Sequence, residues 1–323
     1  MHVDLNAGMN RSVAAKFCTV LIAVSFIHSP LRADPLRISF LSDEGALQNT
    51  SEFLKSRGCK SYAVGAFQKA VKRYNSTCLK LDLSKFPPAQ HGFYSFQSSS
   101  KLLAVIPHRL CDIPHAFEFN CFDTTILLAN GQLRTGLHPD DHPGEFLAQG
   151  VATNGHVLYA HAATAREAFN LSNPTWYQDA SDGYIPSSMA DTRICLTAAF
   201  YCLHILSVST TDRDISNQVM NVLQASWKNQ AIEFPSRFQI VLCHQVNLTN
   251  HLFATTHAGL LFPVEKGYIY IEKAGGSGPF VRLDFGDRAD LMAWLAWKFD
   301  KTMGDHFFVT FNDSKIEMLH VGF

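Results

Sequence analysis

The chain has 323 residues, 47% of them apolar and 17% charged, which suits a large buried core and excludes a disordered chain. Its formal net charge of −1 provides no general basic field, so nucleic acid is not an expected partner. The 25 phenylalanines point to a dense aromatic interior.

In chain order, residues 1–33 read as an N-terminal extension and signal peptide. Met9 is a candidate start. Arg11 and Lys16 form a positive segment, Phe17 to Ile27 a short apolar one, and Leu31-Arg32-Ala33 a cleavage site before Asp34. The apolar run is short for a transmembrane helix. The expectation is a periplasmic or secreted protein with no stable membrane insertion after cleavage. Of the 8 cysteines, Cys18 leaves with the signal and an odd number remains. At least one thiol is then free or pairs between chains. Cys59 and Cys78 flank a predicted helix and form a candidate local pair. Cys195 and Cys202 sit too far along one helix to bond each other.

Residues 34–110 read as a helical N-terminal subdomain. Helical periodicity covers Ala46 to Ser56 and Ser61 to Tyr74, broken at Asn75-Ser76. Pro87-Pro88 marks a loop, and Leu102 to Ile106 fits either strand or helix. Residues 111–323 form the expected main domain. Its organising helix is Cys121 to Ala129, with Asn120 as N-cap and Asn130-Gly131 as stop. Cys121 falls in the first turn, where the positive end of a helix favours thiolate over thiol. The same residue also reads as buried structural thiol or half of a disulfide.

A polar stretch from Gly131 to Gly150 reads as a loop. His138-Pro139-Asp140-Asp141-His142 within it resembles metal ligands, but prolines interrupt it and no second ligand cluster has a recognisable metal spacing, so a solvated loop and no metal are expected. Ala162 to Leu171 reads as a helix. Asn173 to Ser188 reads as a loop whose Trp176, Tyr177 and Tyr184 could line a groove or pack the loop down. Asp191 is read as capping an apolar core helix, Ile194 to Leu206, with His204 packed inside it. Asp214 to Asn229 reads as an amphipathic helix.

From Phe238 the pattern changes to strands: Phe238 to Cys243, His257 to Phe262, Tyr268 to Glu272 and Phe280 to Phe285. A helix runs from Asp287 to near Phe299. Phe307 to Phe311 and Ile316 to Leu319 are the last two strands. Helices followed by antiparallel hairpins make an α+β fold, with the helical N-terminal part and the Cys121 helix packed on a mostly antiparallel C-terminal sheet.

His257 starts a strand after a polar run, at the expected exposed end. If its hairpin centres between Glu265 and Lys266, Gly259 lies opposite Glu272, and His257 and Glu272 share a face. A one-residue slip would substitute Lys273. Asp284, on the next strand, is the reserve candidate. Cys121, His257 and Glu272 are thus read as nucleophile, base and orienting group, the arrangement that thiol hydrolases need.

A cysteine at a helix start, followed by His257-Ala258-Gly259 on a strand and then another strand, resembles the papain-like superfamily, including NlpC-type cell-wall peptidases and amidases. More narrowly, Asn120-Cys121, His257-Ala258-Gly259 and Tyr268-Ile269-Tyr270-Ile271-Glu272-Lys273 resemble an uncharacterised bacterial exported family. Its members carry Asn-Cys-Arg, Thr-His-x-Gly and Phe-Ile-Glu-Lys segments. Phe122 stands where that family has arginine, and the Asp-Cys-Ser-Gly pattern of NlpC enzymes is absent. The resemblance implies a papain-like fold, a cysteine peptidase or amidase with no cofactor, and peptide or peptidoglycan as substrate. Two further readings remain: a non-catalytic cell-envelope binding protein on a degenerate version of the fold, and thiol-dependent acyl transfer.

Overall fold

The computed structural model describes residues 35–77, 81–106, 121–136, 203–205, 212–248, 252–274, 278–299 and 305–320. The strands are β1 (Leu36–Ser39), β2 (Tyr94–Phe96), β3 (Leu203–Ile205), β4 (Gln239–Asn247), β5 (Leu252–Val264), β6 (Gly267–Lys273), β7 (Phe280–Phe285), β8 (His306–Phe311) and β9 (Lys315–Met318). The helices are α1 (Glu44–Ser56), α2 (Ser61–Thr77), α3 (Ser99–Leu103), α4 (Cys121–Ala129), α5 (Asp212–Asn229) and α6 (Arg288–Trp297). The strands form one sheet in the order β2-β1-β7-β6-β5-β4-β8-β9, with β3 attached to β5. Its strand pairings among the described residues are antiparallel. The chain is therefore α+β.

Alternation along the strands feeds two cores, one on each face of the sheet. Ile240, Leu242, Leu260, Phe262, Ile269 and Ile271 join the core that holds α1, α2, α4 and α5. Val241, Cys243, Leu261, Tyr270, Val281 and Leu283 join the core under α3 and α6. The helix α4 is buried at all nine positions, Asp123, Thr124 and Thr125 included, between the sheet and α2. The helix α5 buries one stripe, Ile215, Val219, Leu223 and Trp227. Caps fix the ends: the Asp43 carboxylate accepts from Ala46 N–H at 2.9 Å, and Asp287 does the same for Ala289 N–H at 2.9 Å. Gly131, just past α4, has φ 83°, the left-handed geometry that ends a helix.

Some expectations change. The segment before residue 110 is helical but also supplies β1 and β2, and Arg37 and Ile38 of β1 pair with Asp284 and Leu283 of β7. Leu36-Arg37-Ile38-Ser39 is too short to show a period. Within the apolar run expected to be a helix up to Leu206, residues 203–205 form strand β3, where pairing with β5 overrides propensity; residues 194–202 and 206 lie outside the described residues. The helix α2 runs through Asn75-Ser76 to Thr77. Leu102 to Ile106 starts inside α3, a helical turn. Cys59 is a free buried thiol, not half of a bridge with Cys78, and burial pushes it up to about 12. The expected signal peptide, Asn120, the His138–His142 cluster, the Ala162 helix, the aromatic loop and Asp191 lie outside the described residues. No helix among the described residues is long and apolar enough to cross a membrane.

Candidate active site

The hairpin of β5 and β6 centres on Glu265-Lys266, as its sequence suggests: Val264 pairs with Gly267 and Leu260 with Ile271. Continued one residue, that register sets Gly259 opposite Glu272. His257 and Glu272 therefore share a face, and His257 Nε2 lies 2.5 Å from Glu272 Oε2. Lys273 points to the other face, where its ammonium sits 4.3 Å from the Tyr74 ring centre. The reserve candidate Asp284 is taken by Arg282, whose Nε donates to it at 2.7 Å.

His257 is not at an exposed strand end, as the polar run before it suggested. It is buried, with β5 extending five residues ahead of it. Two features of β5 prepare its position. Cys243 pairs with His257, but His244 pairs with Thr255, so one extra residue bulges out of β5. A bulge re-aims the side chains beyond it. Phe253, before the bulge, faces the α4 core, whereas His257 shares its face with Cys243 of the α6 core. The second feature is on the opposite edge of β5. There β3 covers Leu252 to Ala254 and β6 covers Leu260 to Val264. Among the described residues, positions 255–259 of that edge have no strand partner.

Cys121 meets His257 at this interruption. It is the first residue of α4, it is 5% exposed, and its thiol lies near enough to the imidazole to favour the protonated ring. With Nε2 turned to Glu272, Nδ1 is the ring nitrogen available to the sulfur. Helix α4, strand β5 and strand β6 thus contribute one member each to a connected Cys121–His257–Glu272 series.

Glu272 is wholly buried and has two more donors, neither of them anticipated. Trp294 Nε1 donates to Glu272 Oε1 at 2.8 Å, and Lys298 Nζ donates to the same oxygen. Both come from the C-terminal end of α6, where Lys298 is the C-cap. Their spacing of four places them on one helix face. A tryptophan and a lysine one turn apart at the end of an apolar helix were the only trace in the sequence. Lys298 Nζ also lies 3.2 Å from His257 Nε2. Both are donors toward the same carboxylate, so their closeness follows from a shared acceptor.

The charges are coupled. Burial alone would raise the Glu272 carboxyl, but Lys298 and then His257 outweigh it and hold the group down at about 2. For His257, burial and Lys298 oppose the imidazolium, while Glu272 and Cys121 favour it. The net effect raises His257 above its ordinary value. Tyr270 is buried beside them and pushed well up, first by burial and then by Glu272. Cys243 is held up mainly by burial. No cluster of residues suited to a metal ion occurs among the described residues. Chemically, the arrangement sets a thiol beside an imidazole whose ring a buried carboxylate holds fixed.

Residues 198–316 match a family model described as a domain of unknown function, DUF4300. The match spans just over a third of the chain and takes in His257, Glu272, Trp294 and Lys298, with Cys121 outside it. No curated protein and no solved structure matches the chain.

Proposed function

We propose that the chain is an exported bacterial thiol hydrolase with a papain-like arrangement, cleaving an amide bond in a peptide, with peptidoglycan stem peptides as the leading substrate class. The observation that supports it is the buried His257–Glu272 hydrogen bond with Cys121, at the start of α4, beside the imidazole, three separate elements supplying the three groups. Cys121 attacks the amide carbonyl and His257 takes or already holds its proton. The tetrahedral intermediate collapses as His257 gives that proton to the leaving amine. Water, deprotonated by His257, then releases the acyl group from the sulfur. Glu272 keeps the ring in place and balances its positive charge. The Cys121 backbone N–H, at the start of α4, is a candidate oxyanion donor. The cell-wall assignment rests on the NlpC-type resemblance and the expected export segment, which is fold-level analogy.

The near-complete burial of Cys121 favours a second reading, a cell-envelope binding protein on the same fold in which the thiol is inert. Alkylation of the native protein with iodoacetamide, mapped by peptide, separates the two. The hydrolase reading expects Cys121 to react well before Cys59 and Cys243, which burial keeps as thiols. His257→Ala should slow that reaction about a hundredfold, the scale of a lost general base. If Cys121 reacts no faster than Cys243, the binding reading takes over.

A further inference from the structure

We propose that Lys298 is a positioning residue of this site: by pairing with Glu272 it leaves the proton on His257 free to serve Cys121. This rests on the hydrolase reading for its purpose, though not for its physics. Glu272 is a fully buried anion, and a buried charge without a partner is strongly unfavourable. If His257 were its sole cationic partner, the imidazole would stay protonated to satisfy Glu272, whatever the state of Cys121. With the Lys298 ammonium on Oε1 and Trp294 N–H beside it, the carboxylate is already balanced. The imidazole then touches Oε2 through Nε2 and can exist in two neutral arrangements. In one, thiol faces neutral imidazole. In the other, thiolate faces imidazolium. Moving one proton between Sγ and the ring interconverts them with no change in total charge.

The helix end is well suited to this role. Lys298 is 11% exposed at its side chain, and its ammonium lies 5.2 Å from the Trp294 ring centre. The tryptophan therefore both donates to Glu272 and braces the lysine. The groups facing His257 come from every layer around it: Cys121 on α4, Cys243 on β4, Tyr270 and Glu272 on β6, and Lys298 at the end of α6. Of these, Lys298 is the one fixed positive charge.

The test is the titration of His257 in the whole chain, followed by NMR with labelled histidine and assigned by the signal lost in His257→Gln. Lys298→Gln keeps a donor and removes the charge; Lys298→Met keeps the stem and removes both; Lys298→Arg keeps the charge. The proposal expects the two charge-free variants to hold the His257 proton to higher pH than wild type, with Lys298→Arg close to wild type. Alkylating Cys121 should move the His257 titration in wild type and move it less in Lys298→Gln. An unchanged titration in both charge-free variants would overturn the proposal. Failure of both to fold would do the same, since Lys298 would then be a structural brace. Cys121 alkylation in wild type reads the hydrolase proposal separately: an inert thiol together with a shifted His257 titration removes the enzyme and leaves the clamp.

Discussion

At the scale of single residues, Gly259 shows why a glycine follows His257 by two. Tyr270 lays its ring across β5 at that position, and a Cβ on Gly259 would overlap its hydroxyl and ring. The backbone there is ordinary; the need is for space. Gly259→Ala should cost about 1–3 kcal/mol, the range for overpacking a filled core, and urea unfolding would measure it. A cost below a few tenths would mean that Tyr270 swings aside easily. The residues of the site differ in how readable they were. His257 and Glu272 could be paired because a tight turn fixes the register of a hairpin, and register fixes faces. Cys121 could be singled out because it starts an apolar helix. Trp294 and Lys298 could not, because the carboxylate they bind lies on another element and no local pattern records it.

At the scale of elements, α6 supplies two of the donors on Glu272 while staying a short helix. Its first turn is held by Asp287, whose carboxylate accepts the Ala289 N–H. Its middle is held by Leu291, Trp294 and Leu295, all buried. Asp287→Ala should therefore lower stability by about 1 kcal/mol, the worth of an N-cap, and leave Cys121 alkylation unchanged. A change in that reactivity would show that fraying at one end of α6 reaches Lys298 at the other. Elements with strong periods and caps were legible in the sequence: α1, α5, α6, β4 and the strands from β6 onward stand within a few residues of their expected limits, and α4 at its expected ends, whereas β5 starts five residues before its expected first residue, His257. The strands β1, β2 and β3 were not. Each has three or four residues, and each owes its form to a neighbour distant in sequence. The bulge in β5 was equally hidden, since one extra residue leaves no mark in a strand sequence.

At the scale of the whole molecule, the buried charges set how stability depends on pH. Glu272 is held at about 2 against an ordinary 4.5, so its contribution is present above pH 4.5 and lost as pH falls from there toward 2. His257 is raised above an ordinary 6.5, so its contribution is present below 6.5 and lost as pH rises through its folded value. Thermal melts across pH should show the highest stability between pH 4.5 and 6.5, falling on both sides. Glu272→Gln should flatten the acid side. An acid side equally steep in the variant would assign it to other carboxylates.

The pairing of β1 with β7 has a consequence for how the protein comes into being. Arg37 waits for Asp284, about three quarters of the chain's length away, before the sheet can close. Contacts this distant form slowly, because most of the chain must be ordered to bring them together. During synthesis the N-terminal segment has no β7 to join, so the sheet cannot lock ahead of the C-terminal half. For a chain proposed to leave the cytoplasm, that delay keeps the polypeptide threadable through a narrow translocation channel. The proposed site of Cys121, His257 and Glu272 then comes together only on the far side.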